Sequence, residues 1–136
     1  MTTSDDTPRT TPTDGLAYAI SDLNVARGPR VKDARPAVYA FHAQQAVEKF
    51  LKAVLVAHDV EPPRTHDIRE LSVLIDAHTP HELPEHLYYP AIELTKYEAE
   101  FSNPMELGDV PEEDAEAAAT IARDVGDWAF DTLGMG

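Results

Sequence analysis

The segment from residue 36 to about residue 58 constrains the fold of this 136-residue chain most strongly. At about 100° per residue, most of its apolar residues fall within one arc of a helix. This arc contains Ala40, Ala43, Val47, Phe50, Leu51, Val54 and Ala57. The opposite side is mainly polar but carries Val38, Phe41 and Val56. Since a helix with apolar residues on both sides is usually covered on both sides, we expect it to be central, with its second side under another helix or a second subunit.

Helical spacing also predicts a helix before this segment and another after it. The apolar face of the first consists of Leu16, Ile20, Leu23 and Ala26. The later helix begins at Asp67, whose spacing to Glu70 is that of a capping box. Its apolar stripe consists of Ile68, Leu71, Leu74 and Ile75. A rigid connector with two adjacent prolines, residues 61–64, separates it from the central helix.

Two further helices are predicted in the second half of the chain. One extends from Leu83 to about Glu100 and must be kinked or restarted at Pro90. Residues 102–104 end it, and the last helix opens at Pro111, with its inner face on Ala118, Ala122, Val125 and Ala129. No segment has a strand pattern. The predicted fold class is therefore all-α, an up-and-down bundle of four to five helices with short connections.

Residues 1–14 differ from the rest of the chain. They contain six threonines, two prolines and charged residues without an apolar period. Such a segment cannot bury enough surface to offset its ordering entropy. We therefore expect a disordered N-terminal tail over residues 1–14 and a helical domain over residues 15–136.

Composition excludes several classes of function. The chain has no cysteine, which excludes a disulfide framework, a thiolate zinc site and a thiol nucleophile. Its net charge of −14 argues against binding along duplex DNA. No apolar run is long enough for a membrane span, and the N-terminus does not resemble a secretory signal. We expect a cytoplasmic protein that does not bind membranes.

Two sequence motifs resemble a known family. Residues 41–53 read FHAQQAVEKFLKA, and residues 61–68 read EPPRTHDI. Together they resemble the HEPN domain family (higher eukaryotes and prokaryotes nucleotide-binding), whose pattern is close to FHAQQAAEKALKA, a short connector and a Pro-Pro-x-Thr-His-Asp-Leu helix start. The helix that closes on residues 21–27 is also similar, and the resemblance covers residues 15–133.

This resemblance implies a five-helix bundle that commonly forms a homodimer. Many prokaryotic members are small proteins encoded beside a minimal nucleotidyltransferase, as two-part or toxin–antitoxin modules. Some branches are metal-independent endoribonucleases with an Arg-x(4–6)-His signature on a late helix, whereas others bind nucleotide or RNA.

The ribonuclease signature has one match with a permitted spacing, from Arg35 to His42. It lies at the start of the central helix, and the last histidine of the chain is His86. Relatives often carry an Ala-Arg-Tyr-Pro turn where this chain has Glu100 and Phe101, so the sequence offers no cation for a phosphate at this turn.

Four polar residues of the central helix form what we call the polar strip. They are His42, Gln45, Lys49 and Lys52, spaced to lie along one side of the helix. Lysine supplies charge for a phosphate, glutamine matches base edges, and histidine donates or transfers a proton. The alternative is a buried polar seam in which Glu48 and other acids pair with the lysines.

Arg64 and His66 stand beside the helix start at Asp67. Backbone N–H groups at a helix start favour anions, so these residues are candidates for a phosphate contact. The alternative is that Asp67 caps the helix and His66 packs against the connector. His78, His81 and His86 are separated by prolines, and we expect loop histidines rather than a metal site.

The sequence thus predicts a nucleotide- or RNA-related binding or regulatory module without a cofactor, homodimeric and acting with a nucleotidyltransferase-type partner. One alternative is a metal-independent endoribonuclease toxin that uses Arg35 and His42. Another is a dimeric interaction protein without a ligand. Residues 97–136 carry eleven acids and only Arg123 as a cation, a surface suited to solvent or to a basic partner.

Overall fold

A computed structural model describes residues 11–98 and 109–135 of the chain. Its helices are α1 (Pro12–Arg27), α2 (Pro36–Ala57), α3 (Ile68–His78), α4 (Glu85–Glu93) and α5 (Glu112–Thr132). Residues 96–98 are also helical, and these two described ranges contain no strand. The predicted all-α bundle is confirmed.

Helix α2 occupies the centre of the bundle, because α1, α3 and α5 all pack against it. The predicted arc is buried from Ala40 to Val54, whereas Ala57, the last residue of the helix, is exposed. On the opposite side Glu48 is buried, whereas the three apolar residues are only half-buried, namely Val38, Phe41 and Val56. The expectation of a helix covered on two sides is met in part.

The contact between α2 and α5 is close because α5 presents small residues. A Cβ atom at Gly126 would lie 2.8 Å from Cζ of Phe50. The Phe50 ring also meets Phe130 edge to face, with centroids 6.2 Å apart. Ala122 and Val125 are fully buried beside them. The predicted inner face of α5 is confirmed, and Gly126 is the residue that lets the two helices approach.

Helix α1 begins earlier than the sequence predicts. Thr11 is its N-cap and accepts a hydrogen bond from the Asp14 backbone N–H at 3.1 Å, and Pro12 occupies the first turn. Both residues favour a helix start, so placing residues 12–14 in a disordered tail was wrong. Residues 1–10 lie outside the described part of the chain.

The buried stripe of α1 also differs by one position from the prediction. Leu16, Ala19 and Ala26 are buried, whereas Ile20 is 38% exposed. Ala19 and Ile20 point about 100° apart on a helix, so only one of them can face α2. Leu23 is half-buried. The buried stripe of α1 therefore runs through Ala19 and not through Ile20.

The α3–α4 region confirms one expectation and corrects another. Asp67 caps α3, accepting from the Arg69 N–H at 3.0 Å. Helix α4 runs through Pro90 without a restart and ends at Glu93, not near residue 100. The chain turns there, and the Thr95 hydroxyl accepts from the Ile68 N–H at 3.3 Å, at the start of α3.

The predicted end of that helix at residues 102–104, and the Glu100–Phe101 turn, lie outside the described residues. The last helix starts after Pro111, as predicted. Within the described ranges, no helix is long and apolar enough to cross a membrane.

Candidate functional site

The candidate site lies where α1, α2 and the start of α3 meet. Two groups of side chains occupy it. The Asp22 cluster consists of Asp22, His42 and Lys49, and the Glu48 cluster consists of Gln44, Glu48, Lys52, His66 and Glu98. We call the two clusters together, with Gln45, the polar face.

The Asp22 cluster joins α1 to α2 through one carboxylate. Asp22 Oδ1 lies 2.9 Å from His42 Nδ1, and Asp22 Oδ2 lies 2.5 Å from Lys49 Nζ. The Asp22 side chain is only 13% exposed, compared with 33% for Lys49. Asp22 therefore holds two residues of the polar strip in place from a neighbouring helix.

The Glu48 cluster is built around a buried carboxylate whose side chain is 5% exposed. Glu48 accepts from His66 Nδ1 at 2.8 Å, from Lys52 Nζ at 3.2 Å and from Gln44 Nε2 at 3.3 Å. Because a buried carboxylate is costly without partners, these three donors explain how Glu48 can lie inside the bundle.

Gln44 and Gln45 extend the Glu48 cluster. Gln44 also donates to the His66 backbone carbonyl at 3.4 Å, which fastens the connector to α2. Gln45 Nε2 donates to Gln44 Oε1 at 2.7 Å. Among the described residues, the only buried side-chain polar atom without a partner is Ser72 Oγ, which lies outside this network.

Both histidines of the polar face have the same arrangement. An ionised carboxylate only accepts hydrogen bonds, so Nδ1 of His42 and of His66 must carry the proton that meets Asp22 or Glu48. This leaves Nε2 of each ring for another partner. The His66 side chain is 58% exposed, and its Nε2 lies 3.8 Å from Glu98 Oε1.

The two residues of the ribonuclease signature are not brought together. Arg35 pairs with Asp109 at 3.4 Å, and both side chains are largely exposed. His42 is bonded to Asp22, about two helical turns further along α2. Arg35 and His42 are therefore bonded to two different carboxylates, which belong to distant parts of the chain.

Arg64 is exposed on the connector, and it makes no side-chain hydrogen bond or ion pair with the residues described. His66, two residues later, joins the Glu48 cluster instead of packing only against the connector. Of the residues predicted to bind a ligand, the structure unites His42, Gln45, Lys49, Lys52 and His66 on one face, with Arg64 at its edge.

The described ranges contain no group of three or more residues suited to a metal ion. Of the three histidines expected in loops, only His81 lies outside a helix, and its ring meets that of His58 edge to face, with centroids 5.0 Å apart. His78 is the last residue of α3, and His86 lies in the first turn of α4.

Sequence reasoning missed Asp22, Gln44 and Glu98 as members of this site. It named Glu48 and other acids as counter-charges for the lysines, and in the structure Glu48 pairs with Lys52 while Asp22 pairs with Lys49. The Ser-Asp-Leu segment of the first helix is the only sequence signal for Asp22, because its partners lie 20 and 27 residues away.

The comparisons with known proteins agree with this architecture. The model of the HEPN domain matches residues 15–132.

The chain belongs to the HEPN domain family.

The chain is also similar to a protein of known structure, TT1696 from Thermus thermophilus, whose crystal structure has been solved. The two chains share 26% sequence identity and superpose with a TM-score of 0.74, over 90% of this chain and 98% of the other. No curated protein gives a significant sequence match to this HEPN domain. Membership in the family supports a nucleotide- or RNA-related module.

Proposed function

We propose that this HEPN domain is a binding or regulatory module whose polar face contacts a phosphate-containing ligand, a nucleotide or RNA. The observation that carries this proposal is the pair of histidines fixed through Nδ1 beside two half-exposed lysines. A lysine ammonium donates to phosphate oxygens, and an imidazole protonated at Nδ1 offers Nε2 as an acceptor for a ribose hydroxyl.

Titration calorimetry with ATP, GTP and a short single-stranded RNA tests the proposal. Replacement of the Lys49 ammonium removes one charged contact, so Lys49→Ala should weaken binding by about tenfold. The matched control is Lys32→Ala, because Lys32 is exposed between α1 and α2. Heat-free titrations for every ligand, or an equal effect of both variants, would contradict this use of the face.

We further propose that the domain is homodimeric and acts with a nucleotidyltransferase-type partner. The exposed side chains of Tyr18 and Val25, seven residues apart on α1, support a contact with another subunit. Sedimentation equilibrium should give a dimer, which Tyr18→Ser should weaken. Coexpression with the product of the adjacent reading frame should give a complex, and a stable monomer without a partner would contradict both parts.

The endoribonuclease alternative requires Arg35 to act together with His42, but Arg35 is paired with Asp109 instead. Expression in a bacterial host separates the two functions. A binding module should leave growth unchanged, whereas growth arrest that His42→Ala relieves would favour the nuclease.

A further inference from the structure

The net charge of the polar face determines which phosphate-containing ligands it can bind. Its cations are Lys49 and Lys52, and its carboxylates are Asp22, Glu48 and Glu98. The two lysines and the three carboxylates together carry a net charge of −1 before the histidines are counted. Each ammonium already lies against a carboxylate, at 2.5 Å for Lys49 and 3.2 Å for Lys52.

A polyphosphate is poorly matched to such a face. A terminal phosphate alone carries a charge of about −1.5 to −2 at neutral pH, and the remaining phosphates of a nucleotide add to it. Its oxygens would come close to the carboxylates that hold the lysines. Like charges a few ångströms apart at a partly buried site repel with little screening.

A phosphodiester carries a single negative charge and suits the geometry better. An ammonium has three donors, so Lys49 can keep its bond to Asp22 and still donate to one phosphodiester oxygen. Gln45 uses its N–H group on Gln44, which leaves its carbonyl oxygen as an acceptor for a ribose hydroxyl. The 2′-hydroxyl is the group by which proteins distinguish RNA from DNA.

We propose that the polar face takes an RNA phosphodiester linkage in preference to a nucleoside polyphosphate, and that Asp22 is the residue that determines this preference. This inference rests on the proposed function, because it concerns the ligand of the same face. Asp22 is suited to the role because one carboxylate, 13% exposed, neutralises Lys49 and orients His42 at once.

The test compares two adenosine ligands, the dinucleoside monophosphate ApA and ATP, by calorimetry at about 0.15 M salt. The wild-type domain should bind ApA more tightly than ATP. Asp22→Asn keeps the shape of the side chain and releases Lys49, so ATP affinity should rise by about tenfold and ApA affinity by less than about threefold. Asp127→Asn, the same change at an exposed site on α5, should alter neither.

A second variant keeps the test decisive if Asp22→Asn does not fold. Glu98→Gln removes another carboxylate beside His66, from a side chain that is 28% exposed. It should raise ATP affinity in the same direction, by about threefold. If ATP affinity rises in neither Asp22→Asn nor Glu98→Gln, the inference is overturned.

The outcomes also separate this inference from the proposed function. A wild-type preference for ATP that is lost in Lys49→Ala would overturn the phosphodiester preference and leave the proposed face intact. A shift of the same size in Asp127→Asn would assign the effect to net charge and overturn the role of Asp22. Binding of neither ligand by wild type and Asp22→Asn would overturn both.

Discussion

Helix α2 packs closely against α5 through apolar side chains, whereas its contacts with α1 and the start of α3 add paired charges to the apolar packing. On the first side, Phe50 fills the space that Gly126 leaves open. On the second, Asp22 and Glu48 each hold a histidine and a lysine. One helix can therefore be held by close apolar packing on one side and by hydrogen bonds and ion pairs on another.

The largest effect should come from the apolar side. Phe50→Ala empties a fully buried site, and such truncations cost about 3–5 kcal/mol of unfolding free energy. Urea unfolding followed by circular dichroism measures the loss. A cost below about 1 kcal/mol would mean that α2 and α5 can move together to fill the space, and the two sides would then differ less than the structure indicates.

An added methyl group on the same side should cost somewhat less. In Gly126→Ala the new Cβ would meet the Phe50 ring at 2.8 Å, and overpacking of this kind costs about 1–3 kcal/mol. The double variant with Phe50→Leu should recover part of the loss, because the smaller side chain makes room. Additive losses would show that the two residues do not share this space.

On the polar side, loss of charge should matter more than loss of volume. Glu48→Gln keeps the shape but removes the buried carboxylate, and we expect a loss of about 1–2 kcal/mol. The loss stays below that at Phe50 because Lys52 and His66 can turn to solvent. Urea unfolding measures it, and the control Glu82→Gln, at an exposed site between α3 and α4, should have no effect. A loss equal to that of Phe50→Ala would remove the distinction between the two sides.

The smallest expected effect is a pH dependence near α5. Burial, with contributions from Asp114 and Glu93, raises the pKa of Tyr97 above its usual value. The folded chain then keeps the phenol proton at a pH where the unfolded chain has lost it, so stability falls as pH rises above about 10. Tyr97→Phe should make this fall shallower in urea unfolding between about pH 9 and 11. An unchanged slope would rule out the contribution of Tyr97.

Much of the bundle could be predicted from the sequence because helical spacing and end signals are local. The arc of α2, the cap at Asp67 and the start of α5 after Pro111 depend on residues within a few positions of one another. The early start of α1 was missed because a threonine-rich composition concealed the Thr11 cap. The end of α4 at Glu93 was missed, and the turn after it is bonded to a distant segment, through Thr95 and Ile68.

The polar strip was predicted by spacing, but its partners were not. Spacing along α2 places His42 and Lys49 on one side, yet it cannot show that Asp22 of α1 reaches both. The burial of Glu48 depends on the connector folding back so that His66 covers it. Such pairings form between distant segments, which periodicity in a single sequence does not encode.

One carboxylate of α1, that of Asp22, is bonded to two side chains of α2. A ligand that binds Lys49 should therefore also change the strength of the contact between α1 and α2. We expect occupancy of this surface to alter the hydrogen-exchange rates of backbone amides in α1. Ligand binding would then be visible in a helix that contributes a single side chain to the contact, without any label on the ligand.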